Sequence, residues 1–414
     1  MVRGVTHDVR HLAGWLPPSQ EHLESWLAGH SQRLEDLGPR PLRPSVAGFK
    51  HLIDTEPVIG MLVHRMVEQE PETREYHARH IRDVDHLLAL MDGVLDLAPE
   101  YGLENVTLPM GAVLDWSMGT PAGFAAFRDS RVNLALRAIL REWCEFLDSP
   151  ASLYVLHDGP NGWKSPKAIA DVGMEQFEHD PADEHWGFTS WNDFFTRTFR
   201  PGQRPVAAPD DDAVIVAACE STPYGLRDDV QRRDRFWLKG QPYSLEEMLD
   251  NDENVEKFVG GTVYQAFLSA TDYHRWHAPV AGTVVSARVV DGTYYSEADT
   301  VGTDADESPN SQAYLAHVAT RAIVVLRADN PAIGLVAFVA IGMSDVSSCT
   351  TVVRPGQHVA KGEEIGYFQF GGSTHCLVFE PGAIESVSLQ AVPRPGDPAA
   401  PTVWIGSHIA TARR

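Results

Sequence analysis

In FGGSTHCLVF, residues 370 to 379, two glycines and a serine interrupt a segment otherwise suited to a β-strand. Glycine weakens a strand and lets another backbone approach closely. A serine placed directly after Gly372 can turn its hydroxyl onto the preceding carbonyl when a nearby base takes the proton. A β-bulge beside an ordinary serine leaves the same trace, so this segment by itself fits both readings.

Bases are offered elsewhere. DYHRWHAPVAG (272 to 282) carries His274 and His277, three apart, beside Arg275, Trp276 and a turn-forming Pro279. The pair can hydrogen-bond in a crowded loop, titrate near neutrality or contribute to a metal site. A zinc site needs a third or fourth ligand at workable spacing, and the chain has neither a CxxC pair nor an HExxH, so no metal is expected. IVAACESTPYG (215 to 225) ends an apolar run at Glu220, which reads either as a solvated strand terminus or as a carboxylate that orients a histidine. The histidines of YHARH and DVDH fall on an amphipathic pattern and read as solvated or interhelical.

The elements around these residues divide in two. A chain of 414 residues exceeds one ordinary core. Its first part is helical in period: SQEHLESWLAGHSQRLEDL with Ser19 as cap, a helix opening at the proline of PETREYHARHIRDVDHLLALMDGVLDLA, and DSRVNLALRAILREWCEFLDSP ended by Pro150. Residues 155 to 187 loosen into Gly, Pro, Asp and His and form the connection. Beyond it AVIVAAC, GTVYQAFLSA, AGTVVSARVV, RAIVVLRA and AIGLVAFVAIG are β-rich runs bounded by breakers. The expected architecture is α+β: a helical domain over 1 to 170 and a β-rich domain over 171 to 414. HAPVAGTVVSARVVDGTYY and VRPGQHVAKGEEIGYFQFGGS echo each other as barrel-sandwich modules do, implying duplicated sheets, but no carrier-lysine motif is present and Lys361 reads as a turn residue.

Charge and hydropathy exclude several classes. With 34 Lys and Arg against 57 Asp and Glu, a net charge of -23, the chain repels nucleic acid and anionic membrane surfaces. Its longest apolar run, AIGLVAFVAIGM, has 12 residues, short of the roughly 20 a spanning helix needs, and reads as one buried strand or two. The N-terminus lacks a signal-peptide core, so a cytosolic protein without a stable membrane anchor is expected. Four cysteines without CxxC spacing read as reduced, mostly buried thiols.

Taken together, DYHRWHAPVAG, GGSTHC near the C-terminus and WNDFFTRTFRPGQRPV (191 to 206) resemble the phosphatidylserine decarboxylase family of pyruvoyl enzymes, over roughly residues 185 to 385. The helical stretch LPMGAVLDWSMGTPAGFAAFRDSRVNLALRAILREWCEFLDSP is similar to the extra N-terminal domain of a soluble branch that includes L-tryptophan decarboxylase.

That resemblance implies a self-processing enzyme. The family's LGST motif falls on Gly371, Gly372, Ser373 and Thr374, with Gly371 in place of the usual leucine. Ser373 would attack the Gly372 carbonyl, the bond between them would break, and a pyruvoyl group, the sole cofactor, would remain at position 373. The products are chains 1 to 372 and 373 to 414, each the other's partner. The family's histidine pair falls on His274 and His277, with His277 in the triad, and its triad aspartate falls on Glu220, where an extra methylene shifts the geometry by on the order of 1 Å. The implied reaction is decarboxylation of a small soluble amino acid, L-tryptophan or another aromatic one. Phosphatidylserine is the alternative substrate, and a non-catalytic binding relative the alternative class.

Overall fold

The computed structural model describes residues 20–71, 79–102, 108–234, 243–269, 271–297, 311–345, 348–370, 372–394 and 400–413. Its chain forms two compact units. One comprises Met1–Asp171 with Phe188–Trp191 and Tyr295–Ser311; the other comprises Val172–Gly187, Asn192–Tyr294 and Gln312–Arg414.

The first unit is built from α1 (Gln20–Leu37), α2 (Pro44–Thr55), α3 (Pro57–Glu68), α4 (Val84–Val94), α5 (Pro109–Met118), α6 (Pro121–Ala126) and α7 (Ser130–Leu147). Four of these open on proline, whose fixed φ and missing N–H suit a first helical turn. The α7 stripe of Val132, Leu136, Ile139, Leu140, Trp143 and Leu147 is buried as its spacing requires, and the Asp129 carboxylate caps it by accepting from Arg131 N at 2.8 Å. Pro150 ends α7 by opening a 3-10 turn. Ser19 lies outside the described residues. The helix expected to open at Pro71 instead begins at Val84, because Asp83 is the effective cap: its side chain accepts from His86 N at 2.8 Å, and residues 79 to 83 are not helical. His86 is interhelical, its Nε2 3.0 Å from Ser31 Oγ of α1.

The second unit carries the strands β1 (Val214–Val216), β2 (Thr222–Arg227), β3 (Thr262–Leu268), β4 (Arg275–His277), β5 (Gly282–Val290), β6 (Arg321–Ala328), β7 (Leu335–Met343), β8 (Ser348–Thr351), β9 (His358–Val359), β10 (Glu364–Gln369), β11 (Gly372–Phe379), β12 (Ile384–Val387) and β13 (His408–Ala412). They form three antiparallel sheets, ordered β2-β3-β11-β7-β6-β5-β9, β4-β10-β8 and β1-β13-β12. The fold is thus α+β as expected, and the described strands do not close into a barrel. All nine residues of β7 are buried, so the LVAFVAIGM part of the apolar run AIGLVAFVAIGM is one strand covered on both faces, preceded by a turn at 331 to 333. Trp276, fully buried, sits between the large sheet and the small one, its ring 5.4 Å from Phe338 of β7 and 4.9 Å from Phe368 of β10. A side chain at Gly366 would meet that indole at 2.5 Å, so the glycine lets the strand and the tryptophan pack together.

Candidate active site

Strand order brings the serine and histidine motifs together. On β11, Ser373 pairs with Leu268 of β3 on one side and with Gly342 of β7 on the other, while Gly372 pairs with Met343. After Leu268 the chain turns at 271 and 272 and resumes as β4, whose partner β10 precedes β11 in sequence. Tyr367 pairs with Arg275 and Glu364 with His277, and Phe368 N donates to His274 O at 2.9 Å. The same two segments therefore pair twice, as β4 with β10 and as β3 with β11, with the histidine loop following β3 on one and Gly372–Ser373 opening β11 on the other.

His277 is largely buried, and its ring is held at both nitrogens. Nδ1 donates to the Gly362 carbonyl at 2.7 Å, which fixes the Nδ1–H tautomer and leaves Nε2 with the lone pair; the Tyr273 hydroxyl is 3.2 Å from Nε2. Burial lowers its pKa from the usual 6.5, and the Gly362 carbonyl opposes that shift. The ring is therefore held mainly in its neutral form at pH 7. His274 is fully buried and donates from Nδ1 to the Asp272 carbonyl at 2.9 Å. Its ring packs at 4.2 Å on Phe195, which in turn lies 5.5 Å from Phe370, two residues before Gly372. Burial, reinforced by the Arg197 guanidinium, pushes it down to about 3.

Two residues that the sequence reading did not single out shape this loop. Asp272 accepts from Ser269 N at 2.7 Å, closing the bend just past Leu268, and burial raises its carboxyl to about 7. Arg197, only 3% exposed, has its guanidinium carbon 4.4 Å from the centre of the Phe177 ring and 5.4 Å from that of Phe194, and donates to the Thr271 carbonyl at 2.7 Å. The aromatic spacing in WNDFFTRTF was the available signal for that cradle.

Glu220 is placed differently from the triad expectation. Its Oε1 accepts from Arg204 Nε at 2.7 Å and pairs with Arg204 NH2 at 2.6 Å, while the His277 ring bonds to Gly362 and Tyr273. The structure brings the two residues into one neighbourhood, since His277 N donates to Ala218 O two residues before Glu220, but no hydrogen bond joins carboxylate to imidazole. The physical reason is the bidentate attraction of the arginine fork, which stacks between Phe199 and Trp404 and takes the carboxylate for itself. Burial raises the Glu220 pKa and Arg204 opposes this.

On β11 beyond the serine, Thr374 Oγ1 donates to Ala266 O at 3.0 Å and receives Gln265 Nε2 at 3.2 Å, pinning the strand to β3. His375 is buried with its ring 5.7 Å from that of Phe338 and is pushed down to about 3 by that burial. His274 and His375 make stability fall with acid. Below about 6.5 each takes a proton in the unfolded chain that its folded form refuses until about 3, costing about 1.4 kcal/mol per pH unit per histidine. Asp272 acts oppositely between its unfolded value of 3.8 and about 7, but as one group against two. The urea midpoint is expected to drop steadily from pH 6.5 to 4.5; an unchanged midpoint would mean these imidazoles are solvated.

Cys219, Cys349 and Cys376 are buried free thiols and Cys144 is half-buried. Among the described residues no helix is long and apolar enough to cross a membrane, and no cluster of three or more His, Cys, Asp or Glu side chains is placed to hold a metal ion.

Comparison with known proteins gives this geometry its context. Residues 191–409 match the family model described as phosphatidylserine decarboxylase, and residues 43–172 match a second model of that description. Decarboxylase iboD of Amanita muscaria (strain Koide BX008) is 42% identical over 67% of this chain and 85% of its own length. The L-tryptophan decarboxylase of Psilocybe cubensis is 35% identical over 81% of this chain and 80% of its own. Phosphatidylserine decarboxylase proenzyme 3 of Schizosaccharomyces pombe (strain 972 / ATCC 24843) is 34% identical over 47% of this chain and 19% of its own. An enzyme reading therefore replaces the non-catalytic alternative: the chain belongs to the phosphatidylserine decarboxylase family and is a decarboxylase, a carboxy-lyase.

Proposed function

We propose that the protein cleaves itself between Gly372 and Ser373 and uses the resulting pyruvoyl group to decarboxylate a soluble aromatic amino acid, L-tryptophan first among candidates. The observation that supports this reading is strand order: β11, which starts at Gly372–Ser373 and is paired on both edges, lies along β3, whose chain continues into the loop that holds His274 and His277. The residues fit such a group: a serine follows a glycine, a base is at hand, and the strand behind the serine is fastened on both sides.

In maturation, the Ser373 hydroxyl gives its proton to His277 Nε2 as its oxygen bonds to the Gly372 carbonyl carbon. The amide C–N bond then breaks, its nitrogen takes the proton, and an ester joins the two residues. Removal of the Cα proton of residue 373 expels the Gly372 carboxylate, and hydrolysis releases ammonia and leaves the α-keto acyl group. A pyruvoyl group at position 373 would supply an electrophilic carbonyl able to condense with a substrate amine, with loss of water, and to accept the electron pair freed as CO2 departs. His274 or His277 would return to the substrate Cα a proton that its Nε2 has first taken from the substrate ammonium. Glu220 contributes its charge through Arg204, beside Arg197 and Asp272, rather than through a bond to the imidazole.

Two expectations follow directly. Glu220→Gln should slow self-cleavage by about tenfold at most, well below the loss for His277→Ala, while lowering the melting temperature because the half-buried Arg204 loses its anionic partner; cleavage rates from cell-free translation and a thermal melt read both. The two chains should also co-elute on native size exclusion, since 373 to 414 supplies β11, which pairs with β3 and β7, and β13, which pairs with β1. Separation without denaturant would contradict that pairing.

The aromatic substrate rests on the likeness to the L-tryptophan decarboxylase of Psilocybe cubensis, which aligns over most of its length, together with a net charge of -23, unsuited to an anionic lipid surface. CO2 release from a panel of amino acids and from phosphatidylserine vesicles tests it. Turnover of the lipid alone would replace this substrate reading.

A further inference from the structure

Lys361 supplies a part that the triad scheme leaves vacant. Its side chain is nearly buried, and its ammonium donates to three backbone carbonyls of one loop: Ala208 at 2.6 Å, Asp211 at 2.7 Å and Val214 at 3.1 Å. All three N–H donors of the ammonium are thereby used. The next residue, Gly362, sits at φ +82°, and a side chain there would meet Val206 Cγ2 at 2.4 Å. Gly362 N donates to Ala278 O at 2.8 Å, and Ala278 N to Glu363 O at 2.7 Å, so the turn is fastened to the residue after His277 from both sides. Its carbonyl meets His277 Nδ1 at 2.7 Å, the position an acidic residue takes in an acid, histidine and nucleophile triad.

We propose that Lys361 is a positioning residue for self-cleavage: by clamping the turn to the 208–214 loop it holds the Gly362 carbonyl on His277 Nδ1, and this carbonyl fixes the tautomer and orientation of the base. The inference rests on the reading of His277 as that base. Charged or titratable groups facing the two residues are Glu364, Arg275 and Tyr273 around His277, and Asp210, Asp211 and Asp212 around Lys361.

The test measures self-cleavage of the full chain in cell-free translation from pH 5 to 9. Lys361→Met is expected to be at least tenfold slower, with its acid limb moved to lower pH, because the imidazolium loses the carbonyl that favours it. Lys361→Arg, which keeps a cation on the loop, is expected to recover part of the rate. A wild-type rate, or a slower rate with an unmoved limb, overturns the proposal. Should Lys361→Met fail to fold, nitrogen NMR of histidine-labelled Ser373→Ala protein decides, with His277 assigned by its loss in His277→Gln. An Nδ1–H tautomer is expected, and an Nε2–H tautomer overturns the proposal. Normal maturation of His277→Gln would instead remove the base assignment itself, a separate failure.

Discussion

Ser373→Ala protein is expected to run as one band of 414 residues on a denaturing gel and to release no CO2 from any amino acid. Both losses trace to one atom. Without the hydroxyl, nothing in the chain attacks the Gly372 carbonyl, and without that attack no α-keto group forms at 373. The substitution itself is mild: alanine is smaller than serine, and the backbone of residue 373 keeps its pairing with Leu268 and Gly342. The variant should therefore fold, and its thermal melt should stay near that of the unprocessed wild-type chain. CO2 release by the folded, uncleaved variant would sink the pyruvoyl mechanism, whereas cleavage without Ser373 would move the scissile bond elsewhere.

His277→Ala should slow maturation by about 10²- to 10⁴-fold, the range for loss of a placed general base. Nε2 carries the lone pair because Nδ1 is committed to Gly362, and burial keeps the ring neutral at pH 7. The sign of the pH dependence follows. The folded pKa lies below 6.5, so wild-type cleavage should persist below that value and fall only as acid protonates the ring. An acid limb above 6.5 would contradict a buried, neutral base. His274, whose pKa is near 3, should show no titration in the same window. Its replacement should spare cleavage more than that of His277, because its role is proposed at the proton-return step.

Much of this site could be read in the sequence because its chemistry is local. A serine after glycines and two histidines three apart are visible as residue types, and the long runs of β3, β5, β6 and β7 are visible as apolar strands. Elements set by contacts between distant segments were not. β4 has three residues and β9 two, too few for any periodicity, and each exists only because a neighbour supplies its hydrogen bonds. The start of α4 was misplaced because Pro71 is a legitimate first-turn residue, and only the cap at Asp83 decides between them. Glu220 was assigned to His277 by motif order, yet an arginine 16 residues upstream reaches it first. Lys361 read correctly as a turn residue, but its three carbonyl partners lie about 150 residues away and leave no local trace.

On this mechanism the chain makes its own electrophile at position 373. Intact-mass and peptide mass spectrometry of the purified wild-type protein tests it most directly. Two species are expected: residues 1 to 372 ending in a free Gly372 carboxylate, and residues 373 to 414 beginning with a pyruvoyl group that resists Edman degradation and gains mass with a hydrazine or borohydride. A single intact chain, or a small chain that begins with an ordinary serine amine, would contradict it.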